Sequence, residues 1–309
     1  MNDPVVGLPP DLVRFEGAQI LSEETWHLPR STYREVRKIS TGRGVRVCVL
    51  DTGYYPHTTL PKPLATKSFI SGENVQDGNG HGTHCAGTIL SRDEDIGLAP
   101  EADLLVGKVL SNGGSGSSSG IAAGVEWAIE QGVDVISMSL GGGSSYTPTN
   151  TAIKKALSRG IIVCLAAGNS GFNGASNTIG WPARSGEGVC VAALRKDGKP
   201  ATFSSGGVQM TIAAPGEQIL SCNNAENGFV FMSGTSMACP FVAGSFALIV
   251  SRMRQSGSPS WTSIQAVNAF IKANAKDLLA PGHDPATGHG MFDMREVINK
   301  LAKDELTYV

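Results

Sequence analysis

The chain has 309 residues, of which 41% are hydrophobic and 39 are glycine, and this suits one large globular domain with many tight turns. Its 25 basic and 27 acidic residues give a net charge of -2 without any basic run, so the charge pattern gives a nucleic-acid partner no support. By inspection, no stretch approaches the roughly 20 apolar residues that cross a bilayer, and we expect no membrane partner.

Strand-like and helix-like runs alternate along the chain. The strand-like runs are short and rich in β-branched residues: Val45–Leu50, Leu104–Val109, Val133–Ser139, Ile161–Ala166 and Val189–Ala193. The helix-like runs are His81–Leu90, Ile121–Gln131, Thr149–Ser158, Thr235–Met253, Trp261–Asn274 and Arg295–Lys303. This alternation predicts an α/β fold of three layers, in which helices cover both faces of a mostly parallel central sheet.

Six cysteines raise the question of disulfides. Five lie in apolar strand-like runs or in motifs that open helices: Cys48, Cys85, Cys164, Cys190 and Cys239. Cys222, beside two asparagines, lies in neither kind of segment. We expect buried free thiols for most of them, which fits a reducing compartment. The first residues also show neither the charged region nor the apolar core of a secretory signal, so we expect a cytoplasmic location.

Three motifs carry side chains that could react together. Asp51 ends a β-branched run and precedes a glycine turn, as when a parallel strand delivers a carboxylate to the carboxyl edge of a sheet. His81 lies between two glycines, and Ser236 lies in Gly-Thr-Ser-Met-Ala; each opens a helix-like run. A serine hydroxyl needs an imidazole to accept its proton, and the imidazole needs a carboxylate to fix its tautomer. Separately, the three residues could be a turn carboxylate and two helix caps.

These motifs resemble the three signature motifs of the subtilisin-like serine proteases, and the resemblance runs from about Gly44 to about Asp293. Ala166-Ala167-Gly168-Asn169 resembles the family's oxyanion-hole segment. The resemblance implies a serine endopeptidase that needs no cofactor for catalysis. It assigns the nucleophile to Ser236, the general base to His81 and the carboxylate that orients it to Asp51. Asn169, with the backbone N–H of Ser236, would hold the oxyanion.

The resemblance also predicts a cleft for an extended polypeptide. The matching positions are mostly small residues that would pair with the substrate backbone or form the walls and base of the pocket for the residue before the scissile bond: Ser115, Gly116, Ser139, Leu140, Gly141, Ala166, Gly168 and Gly180. A glycine at position 180 leaves room, so we expect a large apolar residue before the scissile bond. The alternative is that these glycines serve only turns.

Many family members bind structural calcium in a loop soon after the histidine helix. The corresponding link here is short and contains Asp93, Glu94 and Asp95, which are either hard oxygen ligands or a solvated acidic turn. Asp197 could serve a second, weaker cation site.

The resemblance divides the chain into an N-terminal extension, residues 1–16, and a catalytic domain, residues 17–309. The layout is similar to that of intracellular subtilisins, whose short extension lies across the cleft as a non-productive substrate mimic, whereas Cys85 is more typical of the proteinase K branch. We therefore hypothesise that Val5–Asp11 occupies the cleft and inhibits the enzyme until it is cleaved, because its prolines lack an amide hydrogen and restrict the preceding residue. A disordered or surface-packed terminus is the alternative.

Three functions are compatible with these motifs. The chain could be a broad cytoplasmic endopeptidase, a maturation protease dedicated to one leader or partner protein, or a catalytically silent scaffold. The intact set of Asp51, His81, Asn169 and Ser236 argues against the scaffold. Polypeptide substrates are the implied partners. The sequence does not determine the oligomeric state, and a homodimer is compatible with it.

Overall fold

The computed structural model describes residues 3–8, 13–15, 25–257 and 261–303. Its strands, in chain order, are β1 (Val5–Gly7), β2 (Val13–Phe15), β3 (Arg46–Asp51), β4 (Ala65–Ser68), β5 (Asp103–Lys108), β6 (Ser115–Ser117), β7 (Val135–Met138), β8 (Ile162–Ala166), β9 (Val189–Leu194), β10 (Ile212–Pro215), β11 (Ile219–Cys222), β12 (Phe229–Ser233), β13 (Ala275–Lys276) and β14 (Met291–Phe292). Its α-helices are α1 (Arg30–Ile39), α2 (His81–Leu90), α3 (Ser118–Glu130), α4 (Thr147–Ser158), α5 (Thr235–Ser256), α6 (Ile264–Asn274) and α7 (Met294–Ala302).

Seven strands form the central sheet in the order β10-β9-β8-β7-β3-β5-β4, and each neighbouring pair is parallel. Strands β7 to β9 are buried throughout, as expected for a parallel sheet covered on both sides. Helices α2 and α5 pack together on one face, and α3 and α4 pack together on the other. The α/β prediction and its mostly parallel sheet are confirmed.

Helix α5 is the core helix of the molecule. It contacts strands β7, β8, β9 and β10, and from Thr235 to Ile249 every residue is buried. Its length and mean hydropathy are sufficient for a membrane span, so the sequence-based statement that no stretch approaches that length is corrected here. Because 89% of the relevant window is buried inside the protein, these properties are those of a core helix.

Predicted and observed elements differ mainly at their ends. Helix α6 begins at Ile264 rather than at Trp261, because the Ser263 side chain accepts a hydrogen bond from Ala266 N at 3.2 Å and caps the helix. Trp261 instead packs on Phe270, with ring centroids 4.5 Å apart. Helix α1 was not predicted, because only Tyr33 and Val36 of its ten residues are buried.

All six cysteines are buried and unpaired, including Cys222, which the sequence left open. Burial raises the pKa of the Cys222 and Cys239 thiols to about 11. The free-thiol prediction agrees with this arrangement, and the thiols pack as small apolar groups.

Candidate active site

Asp51 and His81 meet at the carboxyl edge of the central sheet. Asp51 is the last residue of β3, and His81 is the first residue of α2. His81 Nδ1 lies 2.7 Å from Asp51 Oδ1, and both side chains are fully buried. Asp51 Oδ1 also accepts a hydrogen bond from Thr52 N at 2.7 Å. The carboxylate therefore fixes the orientation of the imidazole and presents Nε2 on its far side.

A buried carboxylate that the sequence analysis did not select holds the start of α2. Asp77 Oδ1 accepts from Gly80 N at 2.8 Å and from Thr52 Oγ1 at 2.9 Å, while Oδ2 accepts from Thr83 N at 2.9 Å. Thr52 Oγ1 accepts in turn from Gly82 N at 2.8 Å. The residues after Asp51 and around His81 are thus joined into one network. An aspartate shortly before a helix start is the sequence signal that could have identified it.

Ser236 lies at the start of α5, directly after β12, and is fully buried. Its backbone carbonyl accepts from Ser139 Oγ at 2.8 Å, and its hydroxyl donates to Ser139 O over 3.4 Å. His81 Nε2 has no hydrogen-bond partner among the described residues. His81 Nε2 is therefore available to accept a proton, whereas the Ser236 hydroxyl donates to Ser139 O in this arrangement.

Asn169 is arranged as a hydrogen-bond donor. Its Oδ1 accepts from Thr235 N at 3.0 Å and from Thr235 Oγ1 at 2.9 Å, so the amide cannot be reversed without losing both bonds. Its Nδ2 is buried and has no partner among the described residues. An unpartnered buried donor beside a serine hydroxyl is the arrangement that stabilises a developing oxyanion.

The second histidine of the helix motif has a structural role. His84 is fully buried, and its Nε2 lies 3.1 Å from Ile219 O and 3.2 Å from Val230 O, so this nitrogen carries the hydrogen. Burial, reinforced by His81, lowers the pKa of His84 to about 3. The neutral ring therefore joins α2 to β11 and β12.

A cavity of about 390 Å³ opens beside Ser236. Five of the predicted substrate-binding residues line it: Leu140, Gly141, Ala166, Gly168 and Gly180. Gly168 has φ of +106°, a conformation that favours glycine. The structure adds Ile179, Trp181 and Arg184 to the lining, which sequence reasoning missed. Ser139 lies behind the nucleophile, and Ser115 and Gly116 belong to β6.

The chain's own N-terminal segment lies along this cleft. Strand β1 pairs antiparallel with β6, opposing Val6 to Gly116. On its other edge Gly7 exchanges both backbone hydrogen bonds with Gly141, at 3.1 and 3.2 Å. Strand β2 pairs antiparallel with β12, which leads directly to Ser236. Two parts of the N-terminal segment thus flank the serine, and residues 9–12 between them, with Pro9 and Pro10, lie outside the described residues, as does the predicted boundary at 16/17.

The predicted metal-binding residues do not converge. Asp197 is half exposed, and its carboxylate accepts from Arg195 Nη2 at 2.8 Å and from Lys199 N at 3.1 Å. Among the described residues, the group of potential metal ligands that lies close together is Asp51, His81 and Cys85, within 4.8 Å of one another. The cation site at Asp197 stays a prediction.

Comparison with known proteins settles the family. A model of the subtilase family matches residues 42–290, which include the strand end, both helix starts and the asparagine described above. The chain belongs to the subtilase family. Membership of the subtilases indicates a serine endopeptidase.

Individual subtilases support the assignment. Subtilisin DY of Bacillus licheniformis is 45% identical over 215 residues, which are 68% of this chain and 78% of the relative. Subtilisin Savinase of Lederbergia lenta is 42% identical over 242 residues, 77% of this chain and 86% of the relative. Alkaline elastase YaB of Bacillus sp. (strain YaB) is 40% identical over 257 residues, 82% of this chain but 64% of the relative. The chain therefore spans less than two thirds of this last relative.

Proposed function

We propose that this subtilase cleaves polypeptides through an acyl-enzyme on Ser236 and that its own N-terminal segment inhibits it. The Ser236 hydroxyl gives its proton to His81 Nε2 as Oγ bonds to the peptide carbonyl carbon. His81 then returns the proton to the leaving amine as the carbon–nitrogen bond breaks. A water molecule repeats the sequence and releases the acid. Asp51 stabilises the protonated imidazole throughout.

The observation that carries this proposal is the 2.7 Å contact between His81 Nδ1 and Asp51 Oδ1, with His81 Nε2 left available. The carboxylate selects the tautomer that carries hydrogen on Nδ1, and this leaves Nε2 as a base. The arrangement supports proton transfer from a hydroxyl on that side of the ring, where Ser236 is the candidate.

Asn169 supplies the test of oxyanion stabilisation. Because its Nδ2 has no other partner, we expect Asn169→Leu to lower kcat by about 100- to 1000-fold with little change in KM. Steady-state kinetics on a fluorogenic peptide would measure both constants. Asn173→Leu, an exposed asparagine on the nearby loop, is the control and should retain full activity. An equal loss of kcat in Asn169→Leu and Asn173→Leu would contradict the assignment of Asn169 as the donor to the oxyanion.

The N-terminal segment supports self-inhibition because it occupies the position that an extended substrate needs. Leu8 N donates to Gly114 O at 2.9 Å, which continues the pairing of β1 with the cleft edge. Val6 is only 5% exposed and packs beside Ile121 and Trp181. Main-chain pairing with a side chain in a pocket is the general way in which a strand is recognised. In the sequence, two prolines follow Leu8, and a proline, which lacks an amide hydrogen, would make this segment resist cleavage.

The experiment is a time course of fluorogenic peptide hydrolysis by the full-length chain, with Ser236→Ala alongside and the N-terminus followed by mass spectrometry. We expect a lag that ends as residues near the start are removed, and faster cleavage after phenylalanine than after aspartate. Immediate activity with an intact terminus would contradict inhibition but not peptidase activity. Absence of activity before and after trimming would contradict both.

Structural calcium is the group that the family implies, and the acidic loop after α2 does not fit it. Arg30 Nε donates to Asp95 Oδ1 at 2.5 Å, and Arg30 Nη2 contacts the other oxygen. The bonds from Arg30 hold the pKa of Asp95 below its usual value. Asp93 Oδ1 accepts from Asp95 N at 2.9 Å. We infer that guanidinium groups of α1, rather than a cation, hold this loop.

Chelation tests that inference. In the Ser236→Ala background, which prevents self-digestion, EDTA is expected to leave the Tm of the full-length chain within about 2 °C of its untreated value, because bonds from Arg30 rather than a bound ion hold the loop after α2. Differential scanning calorimetry with EDTA, and again after added calcium, would measure it. A fall of about 10 °C that calcium reverses would show that an ion stabilises the fold.

We also propose a cytoplasmic location, supported by the six buried free thiols. Cell fractionation with an antibody to the chain is the test, and recovery outside the cytoplasm would contradict it.

A further inference from the structure

Lys108 is a fully buried cation that the reaction does not use. It ends β5, in register with Asp51 on β3, and its side chain is completely inaccessible. Its Nζ donates to Thr52 O at 2.5 Å and to Asn112 Oδ1 at 2.9 Å, and lies 3.1 Å from Glu73 Oε2. Burying an ammonium group is costly unless it is paired, and here each of its three hydrogens has an acceptor.

Two of these acceptors lie in the segments that present the catalytic side chains. Thr52 follows Asp51, and its hydroxyl accepts from Gly82 N beside His81. Glu73 precedes the turn that leads to α2, and its Oε2 also accepts from Asn112 N at 2.9 Å. The ammonium therefore contacts the chain on the Asp51 side and the loop on the His81 side.

The third acceptor belongs to the substrate side of the cleft. Asn112 lies in the turn that leads into β6, and its Oδ1 accepts from Gly78 N at 2.9 Å as well as from Lys108. In the same turn, Gly114 O accepts the amide hydrogen of Leu8 from the N-terminal segment. The position of this turn sets the position of any strand that pairs with β6.

We propose that Lys108 is a positioning residue that fixes the substrate-pairing strand β6 relative to Asp51 and His81. The proposal rests on the proposed peptidase function and adds to it a determinant of how extended substrates are aligned. Removal of the ammonium frees the turn at Asn112 from the chain after Asp51. An extended substrate then pairs with an edge that is no longer in register with Asp51, His81 and Ser236.

Kinetics with two substrates test the proposal, using the full-length enzyme once its activity has reached a plateau. For Lys108→Met we expect kcat/KM on a tetrapeptide amide, which pairs with β6, to fall roughly tenfold or more, mostly because KM rises. We expect kcat/KM on a single-residue ester, which does not reach β6, to fall less than about threefold. Asn112→Ala, at an exposed position that should fold normally, is expected to do the same. Lys67→Met removes an exposed lysine of β4 and is the matched control. Equal losses on both substrates, or none, would overturn the proposal.

Hydrogen exchange gives a second readout that needs no activity. In full-length Ser236→Ala, we expect Lys108→Met and Asn112→Ala each to speed exchange about tenfold in residues 3–8 and 111–118, while β8 exchanges at its original rate. Unchanged exchange, or an equal rise in β8, would overturn the proposal. If the wild-type chain hydrolyses no peptide, the peptidase function fails, and the exchange result still decides the role of Lys108.

Discussion

Replacement of Ser236 by alanine is expected to abolish peptide hydrolysis while leaving the fold intact. The fall in kcat should be on the order of a million-fold, the magnitude known for the equivalent change in subtilisin, because the acyl-enzyme cannot form. The hydroxyl makes only a 3.4 Å contact with Ser139 O, so its removal should change the free energy of unfolding little. Initial rates and urea unfolding curves would measure the two effects.

Ser245 provides a matched control for this change. It is also a buried serine of α5, and its hydroxyl donates to Phe241 O at 2.9 Å within the helix, away from the cleft. Ser245→Ala should therefore keep its activity. If Ser236→Ala retained more than about 1% of the wild-type kcat, the nucleophile would have to be another group.

Replacement of Val6 by aspartate is expected to activate the full-length chain before any residue is removed. Val6 is 5% exposed and lines a small pocket together with Ile121 and Trp181, and burying a valine side chain is worth about 1.5–3 kcal/mol. A carboxylate at this buried position would also be desolvated. We expect the initial rate of peptide hydrolysis to rise roughly tenfold or more, since each 1.4 kcal/mol lost by the segment changes its binding tenfold.

The neighbouring residue, Val5, provides a control that separates the loss of the buried Val6 side chain from a general effect of the added charge. Val5 lies on the opposite face of the same strand and is 74% exposed, so Val5→Asp adds the same charge without removing the buried Val6 side chain. Its initial rate should stay within about twofold of wild type. Mass spectrometry must show an intact terminus during both measurements. Equal rates for the two variants would mean that Val6 does not hold the segment in the cleft.

The sequence was most informative where one short motif contains both a reactive side chain and the end of the strand or helix that positions it. Asp51 ends a strand and His81 opens a helix, so the alternation of strands and helices places both residues at the same sheet edge. Free thiols could also be expected for Cys164 and Cys190, because each lies inside an apolar strand rather than in a loop. These are local patterns, which a single sequence records directly.

Contacts between distant loops were beyond such reasoning. Asp77 and Lys108 are both buried charged residues whose partners come from several segments, and nothing near them in sequence identifies those partners. The pairing of β2 with β12 joins strands more than 200 residues apart. Helix α1 has few buried positions and was missed because its apolar pattern is weak; it packs on α7, and its arginine side chains bind the acidic loop. Long-range polar networks need the fold before they can be recognised.

The division of the N-terminal segment into two short strands has a kinetic consequence. Each strand has three residues, and five residues join them, so the segment binds as a bivalent ligand whose second attachment is intramolecular. A single cut in the joining residues frees the fragment that contains β1, whereas β2 stays covalently joined to the catalytic domain. The freed fragment then loses the high effective concentration that its covalent link to β2 provided. Activation should therefore resemble a switch, in which one bond broken in one molecule is sufficient and cannot be undone by rebinding.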